Sequence, residues 1–300
     1  MTSGIPARQL YARAMAGFDA VLHAVPGDRW TAPTPCAGWD VRALVDHVVR
    51  EDRWAAELLA GRTIAEVGAL LDGDLLGTDP VAAWAAASAA AASAATAAPD
   101  DVMVALSAGP TAVDEYLRQL AADHVVHAWD LATATGTNLR IEEDLIDAVT
   151  AWFAPVRRVY QAHGLVAPRL PVPGPAESQA GLLAMFGRSE ALAAVERFGD
   201  AFDAKDINAI MLNMTPDCLF ETTSPPDGVR HSGAAAVRAA WHRFFEAAGD
   251  HRFTPESRIV AGDQVIVTWR YEWTGGHVRG VDLFRVRDGL VAEKRAYVKG

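Results

Sequence analysis

The chain has 300 residues, a formal net charge of −11, 51% hydrophobic residues and two cysteines. That length accommodates two ordinary domains, each with its own core. The acidic balance, with no cluster of Lys or Arg against it, argues against a nucleic-acid partner. Charges or turn residues break every apolar stretch before bilayer-spanning length, and the N-terminus lacks a basic region followed by an apolar core and cleavage site. A cytoplasmic protein without a membrane partner is the expectation. Cys36 and Cys218 lie far apart with no CxxC spacing, so both are read as reduced thiols.

The first half carries the helical period. Residues 6–25 place Leu10, Ala14, Phe18 and Val21 on one side, and a connection containing Pro33 and Pro35 follows. Asp40 is placed to cap a second helix, where Val41, Leu44, Val45 and Val48 form an apolar stripe and His47 lies beside it. Residues 80–98, almost pure Ala around Trp84, predict a packed helix. Pro110 and Thr111 open the next one, with Asp114 completing a variant capping box. Its inward stripe is Val113, Tyr116, Leu117, Leu120, His124 or His127, and Leu131, ending near Gly136. A helix over 142–163 completes an up-down bundle. The expected division is a helical domain over 1–165, a linker over 166–188 rich in proline (Pro168, Pro171, Pro173, Pro175), and a second domain over 189–300.

The second half changes character. Helices over 190–204 and 207–214 precede a strand at 218–222, a turn-rich Ser224-Pro225-Pro226-Asp227-Gly228 segment and a helix over 234–248. Strand-like runs over 257–273, broken at Gly262-Asp263, then 277–287 and 290–298 end the chain, with Asp288-Gly289 as a hairpin turn. Helices followed by antiparallel strands indicate an α+β domain.

The chemistry-bearing pattern in the first half is Asp123 and His127, four apart and so on one helix face, with His47 on another helix. Three protein donors and an open position describe a catalytic metal site better than a structural one. From spacing alone, an intrahelical Asp123–His127 ion pair is an equal alternative.

Residues 1–165 resemble the DinB-like superfamily, in particular the branch that includes mycothiol-dependent maleylpyruvate isomerase. The resemblance is carried by Pro35-Cys36-Ala37-Gly38-Trp39-Asp40 leading into Leu44-Val45-Asp46-His47, and by Asp123-His124-Val125-Val126-His127-Ala128-Trp129-Asp130-Leu131-Ala132. It implies an all-α bundle holding a divalent ion, commonly zinc, on His47, Asp123 and His127. Aspartate at 123 departs from the glutamate usual in the carboxylate-bearing branch, and His124 is the fallback donor. It also implies a low-molecular-weight thiol cosubstrate, because related proteins are thiol S-transferases or thiol-dependent isomerases. Such an ion lowers the pKa of a thiol or of water. Glu51, one turn after His47, is a candidate acid/base residue, with a solvated charge as the other reading. A different domain follows Ser189 in place of the isomerase's own C-terminal portion, so maleylpyruvate is not carried over as substrate.

Residues 190–300 resemble the SnoaL-like, or NTF2-like, superfamily. The supporting residues are the helix pair from Ala191, Asp217-Cys218-Leu219-Phe220, Gly233-Ala234-Ala235-Ala236-Val237-Arg238 with Trp241 and Phe244-Phe245, and Val281-Asp282-Leu283-Phe284-Arg285-Val286-Arg287-Asp288-Gly289-Leu290-Val291-Ala292-Glu293-Lys294. The resemblance implies a cone, with a curved antiparallel sheet wrapped around helices to leave an apolar pocket. Ketosteroid isomerases, polyketide cyclases and non-enzymatic binding domains use this fold, and its exposed sheet face often pairs with a second copy, which makes a homodimer the expectation. Alternation puts Val278, Gly280, Asp282, Phe284 and Val286 on one face, and Val291, Glu293, Arg295 and Tyr297 on one face of the last strand. If both point inward, Asp282 sits near Arg295 and Tyr297, either as a general base with a raised pKa or, the preferred reading, as an ion-pair partner of Arg295 that fixes register. Trp241, Phe244, Trp269 and Tyr271 are read as core or pocket wall.

Three classes of function stay open at this point. The leading one is a metal-dependent enzyme acting on a small-molecule electrophile with a thiol. The others are an isomerase or cyclase in the cone, and a non-enzymatic small-molecule binder.

Overall fold

The computed structural model describes residues 4–172, 178–248 and 251–299. The chain divides into two compact units, one of residues up to Ala167 with a segment ending at Leu182, the other of Pro168 and the residues just after it with everything from Leu183 onward.

In the first unit, helices α1 (Ala7–His23), α2 (Val41–Leu59), α3 (Ile64–Val67), α4 (Pro80–Ala97), α5 (Val113–Ala134) and α6 (Glu143–Ala162) are joined by a hairpin of β1 (Met103–Leu106) and β2 (Gly109–Ala112). The start of α2 follows from Asp40, whose side chain accepts from the Ala43 N–H at 2.8 Å. Asp79 does the same for α4, ahead of a proline at the first position. Helix α4 turns Trp84, Ala87, Ala91 and Ala95 inward, and the Trp84 indole N–H donates to Asp19 at 2.9 Å. Helix α5 is covered almost all round from Leu120 to Ala132, which makes it the central helix of the bundle. Its start differs from expectation. Pro110 and Thr111 pair with Ala105 and Val104 in the hairpin, and the Thr111 hydroxyl donates back to Gly109 O, so no side chain caps α5. Local turn chemistry captured Thr111 before it could act as a cap.

The segment expected to be linker contains a helix, α7 (Gln179–Met185). Gln179 accepts from the Ile141 N–H and donates to Leu139 O, and Leu182 and Leu183 are fully buried. Two apolar residues in sequence and a bonded glutamine outweigh the proline-rich composition. Residues 173–177 of that segment, with Pro173 and Pro175, lie outside the described residues.

The second unit carries α8 (Glu190–Asp203), α9 (Ile207–Leu212), β3 (Met214–Glu221), β4 (Arg230–Ser232), α10 (Ala234–Ala247), β5 (His251–Ala261), β6 (Gln264–Trp273), β7 (Gly276–Arg287) and β8 (Leu290–Val298). The strands form one sheet in the order β4-β3-β8-β7-β6-β5. It is mixed, because β3 runs parallel to β8 while the other pairs are antiparallel. The chain between β3 and β8, which includes α10 and the strands β4 to β7, supplies the long connection that a parallel pair needs. Asp288 and Gly289 both take positive φ, 54° and 67°, as a two-residue hairpin turn demands.

One irregularity decides what faces the core. Arg285 pairs with Glu293 but Val286 pairs with Val291, so Ala292 is an extra residue on β8. The alternation of β8 therefore inverts at that bulge. Val291, Lys294 and Ala296 are buried while Tyr297 is exposed, which corrects the expectation that Val291, Glu293, Arg295 and Tyr297 share an inward face. Among the described residues no helix is long and apolar enough to cross a membrane.

Candidate metal centre

Helices α2 and α5 bring His47, Asp123 and His127 together. His47 Nε2 lies 3.5 Å from Asp123 Oδ2, and His127 Nε2 lies 3.3 Å from Asp123 Oδ1. One donor atom from each residue falls within 4.8 Å of the other two. Two ligands of a tetrahedral ion with bonds of about 2.0–2.1 Å sit ~3.3 Å apart, so both spacings suit a common ion. Asp123 Oδ2 is shielded from solvent and has no hydrogen-bond partner, which is the state of an acceptor awaiting a cation. Two imidazoles and a carboxylate match zinc and several other divalent ions. The residues present therefore fit the metal that the sequence resemblance implies.

The surroundings pre-set these side chains. A tight turn before α2, with Thr34 N bonded to Trp39 O, Trp39 N to Cys36 O, and Gly38 at φ 83°, delivers Cys36 and Trp39 to the site. The Trp39 ring lies 4.9 Å from the His47 ring and 6.0 Å from the His127 ring, centre to centre. On the far side of His127, Nδ1 is 3.0 Å from Oδ2 of the fully buried Asp130. The Cys36 thiol donates to the same oxygen at 3.2 Å. A carboxylate behind a histidine fixes which ring nitrogen is free to bind. Burial opposes charge on both members of the central pair, yet the His127 and His47 imidazoles hold the Asp123 carboxyl well below its usual range. Against the same burial, Asp123, with Asp130 and Cys36 behind it, holds His127 well above its own.

Glu51 is half-buried rather than a solvated charge. Burial and then the Asp123 charge raise its carboxyl, with His47 and His124 opposing. His124 does not serve the centre. Its Nε2 lies 3.2 Å from Asp52 Oδ1 and its Nδ1 2.7 Å from Leu120 O, so the fallback donor belongs to a separate buried cluster. There the Tyr11 hydroxyl donates to Asp52 Oδ1 at 2.5 Å. Neither Asp52 nor Asp130 was foreseen, although both leave a trace in the sequence. Asp52 interrupts the apolar stripe one turn after Val48, and Asp130 sits three residues after His127 on its face. Cys36 leaves no such local trace, because only the turn carries it there.

In the second unit Asp282 is buried, but its partner is Lys294, at 2.8 Å, with side chains 4% and 8% exposed. Arg295 pairs with Glu293 at 2.6 Å instead. The bulge at Ala292 is the physical reason, since it turns Lys294 inward and Arg295 and Tyr297 outward. The ammonium lies 5.4–5.9 Å from the ring centres of Phe220, Trp241 and Phe284, and Asp282 Oδ1 has no hydrogen-bond partner.

The family model of the mycothiol maleylpyruvate isomerase N-terminal domain matches residues 11–132, and that of the SnoaL-like domain matches residues 195–294. Two uncharacterized proteins from two strains of Mycobacterium tuberculosis are each 31% identical over 168 residues, 54% of this chain and 80% of theirs. Among solved structures, an NTF2-like protein of unknown function from Mesorhizobium loti is 38% identical, covering 37% of this chain and 92% of its own, at a TM-score of 0.34. A Sinorhizobium meliloti protein provisionally assigned as a polyketide cyclase is 26% identical, covering 34% of this chain and 92% of its own, at a TM-score of 0.31.

Proposed function

Because the chain belongs to the mycothiol maleylpyruvate isomerase N-terminal domain family over residues 11–132 and to the SnoaL-like family over 195–294, we propose that it is a metal-dependent enzyme. In this reading His47, Asp123 and His127 hold a divalent ion, zinc by donor type, and the protein joins a mycothiol-like thiol or water to a small electrophile or isomerises it. The observation that supports it is the convergence of one donor atom from each of the three residues within 4.8 Å. When bound, such an ion is a Lewis acid that lowers the pKa of a thiol or water at its open position.

The chain's own residues do the rest. Asp130 keeps the His127 ring turned so that Nε2 faces Asp123 and His47. Trp39 packs against both imidazoles, which keeps bulk water from one side of the centre. Glu51, with its carboxyl raised by burial, exchanges the proton that leaves the thiol or water. In the second domain the unpartnered Asp282 Oδ1 beside Lys294 favours a second reading, in which Asp282 is the base of an isomerase or cyclase. Exposed Ile259, Leu283 and Tyr297, which share the outer face of the sheet, are offered as the face through which a homodimer forms.

Elemental analysis of protein purified without an affinity tag, beside a His47→Ala/His127→Ala variant, tests the leading reading. About one divalent ion per chain, lost in the still-folded variant, is the expected result. No ion after incubation with excess Zn²⁺ refutes it. Once turnover of an electrophile is found, its loss in Asp282→Asn with survival in the double variant would shift the activity to the second domain.

A further inference from the structure

His127 has two nitrogens, and the structure gives each its own set of donors. Nε2 faces Asp123 and His47. Nδ1 faces Asp130 Oδ2 at 3.0 Å and Cys36 Sγ at 3.8 Å, with Sγ and Oδ2 3.2 Å apart. Cys36, His127 and Asp130 thus offer one donor atom each, all within 4.8 Å of one another. Ligands on a tetrahedral ion with a bond of about 2.3 Å to sulfur and 2.0–2.2 Å to nitrogen or oxygen stand ~3.3–3.6 Å apart. The three observed separations bracket that range. His127 and Asp130 are buried and Cys36 is half-buried, so the thiol is the side from which an ion would arrive.

We propose that Cys36, Asp130 and His127 Nδ1 form a second cation site, selective for thiophilic ions such as Cd²⁺ or Cu⁺, which cannot be filled while His127 serves the first. Thiolate selects soft ions, whereas the imidazole and carboxylate donors of the first group suit borderline and harder ones. Filling the second site releases the thiol proton and the Nδ1 proton to solvent. The ring then carries its remaining proton on Nε2, where Asp123 Oδ1 at 3.3 Å accepts it. Filling the first site requires the opposite tautomer, with Nδ1–H donating to Asp130. One neutral imidazole cannot adopt both, so the sites exclude each other. A thiophilic ion therefore disables the first centre without touching His47. The exclusion rests on the reading of His127 as a ligand of the first centre; the existence of the thiolate site does not.

The test is a titration of the metal-free full chain with Cd²⁺, read by the ultraviolet thiolate-to-cadmium charge-transfer band, in wild type, Cys36→Ser, Asp130→Asn and Cys218→Ser. The band is expected in wild type and Cys218→Ser, absent in Cys36→Ser and weakened in Asp130→Asn. With free Zn²⁺ at about a hundred times its Kd, the apparent Cd²⁺ affinity falls about a hundredfold by mass action. A missing band in wild type, a band retained in Cys36→Ser, or both ions held at once overturns the proposal. The His47→Ala variant separates the two readings, since it weakens Zn²⁺ binding and leaves the cadmium band in place. If Zn²⁺ binds none of these proteins the proposed function fails, and with it the exclusion, while dependence of the band on Cys36 still decides the site.

Discussion

Replacing Lys294 by methionine and Asp282 by leucine, singly and together, measures what a buried ion pair contributes to the second unit. Full charges 2.8 Å apart attract by about 6 kcal/mol at an effective dielectric constant of ~20. Both side chains are under a tenth exposed, and leaving water costs several kcal/mol per ion. The two terms nearly cancel, so the pair contributes little net stability. Either single replacement strands the other charge and costs about 3–5 kcal/mol. Asp282→Leu falls at the mild end, because Phe220, Trp241 and Phe284 still surround the ammonium and desolvated cation–π contact returns about 2 kcal/mol. Lys294→Met falls at the harsh end, since it leaves Asp282 with no cation and Oδ1 already without a partner. The double replacement lies near wild type or up to about 4 kcal/mol above it. Hydrogen exchange of β7 and β8 amides across urea concentrations reads these differences within the second unit. A coupling below about 1 kcal/mol in this cycle would refute the reasoning, because residues without mutual compensation add.

In the bundle, Tyr11→Phe deletes a donor to a buried carboxylate at 2.5 Å and is expected to cost about 1.5–3 kcal/mol in urea unfolding; a loss within a few tenths of wild type contradicts the cluster as described. Asp130→Asn is expected to weaken zinc binding about 10–100-fold by competition with a chelating dye, and unchanged affinity would deny Asp130 its orienting role. Glu51 carries a carboxyl raised above 4.5, so its contribution to the metal-free protein is full below that pH and is lost as pH rises through the folded value. Glu51→Gln should therefore gain on wild type as pH climbs from about 4.5 and then level off; a difference independent of pH would show that the carboxyl is not perturbed. Gly280→Ala would place a Cβ 2.2 Å from Trp269 Cζ2 and 2.3 Å from Tyr297 O. It should cost at least about 1–3 kcal/mol as an overpacked site, and a variant as stable as wild type would mean Trp269 does not cover that backbone.

What the sequence by itself determined are the features written in covalent spacing. Apolar residues at helical intervals located α1, α2 and α5, and alanine content located α4; Asp40 marked a helix start, and Asp288-Gly289 marked the last hairpin. Asp123 and His127 share a face because four residues make about one turn, whatever the rest of the chain does. The tertiary structure alone decided the partners. It set His47 of α2 against that pair, drew His124 away to Asp52 and carried Cys36 and Asp130 behind His127. It also gave Asp282 to Lys294 and not Arg295, because one extra residue at Ala292 inverts every side chain beyond it. A period is a property of one segment and survives in its sequence. A register shift or a turn that delivers a thiol depends on which distant strand or helix it meets, and that is settled only when the whole fold buries its apolar surface together.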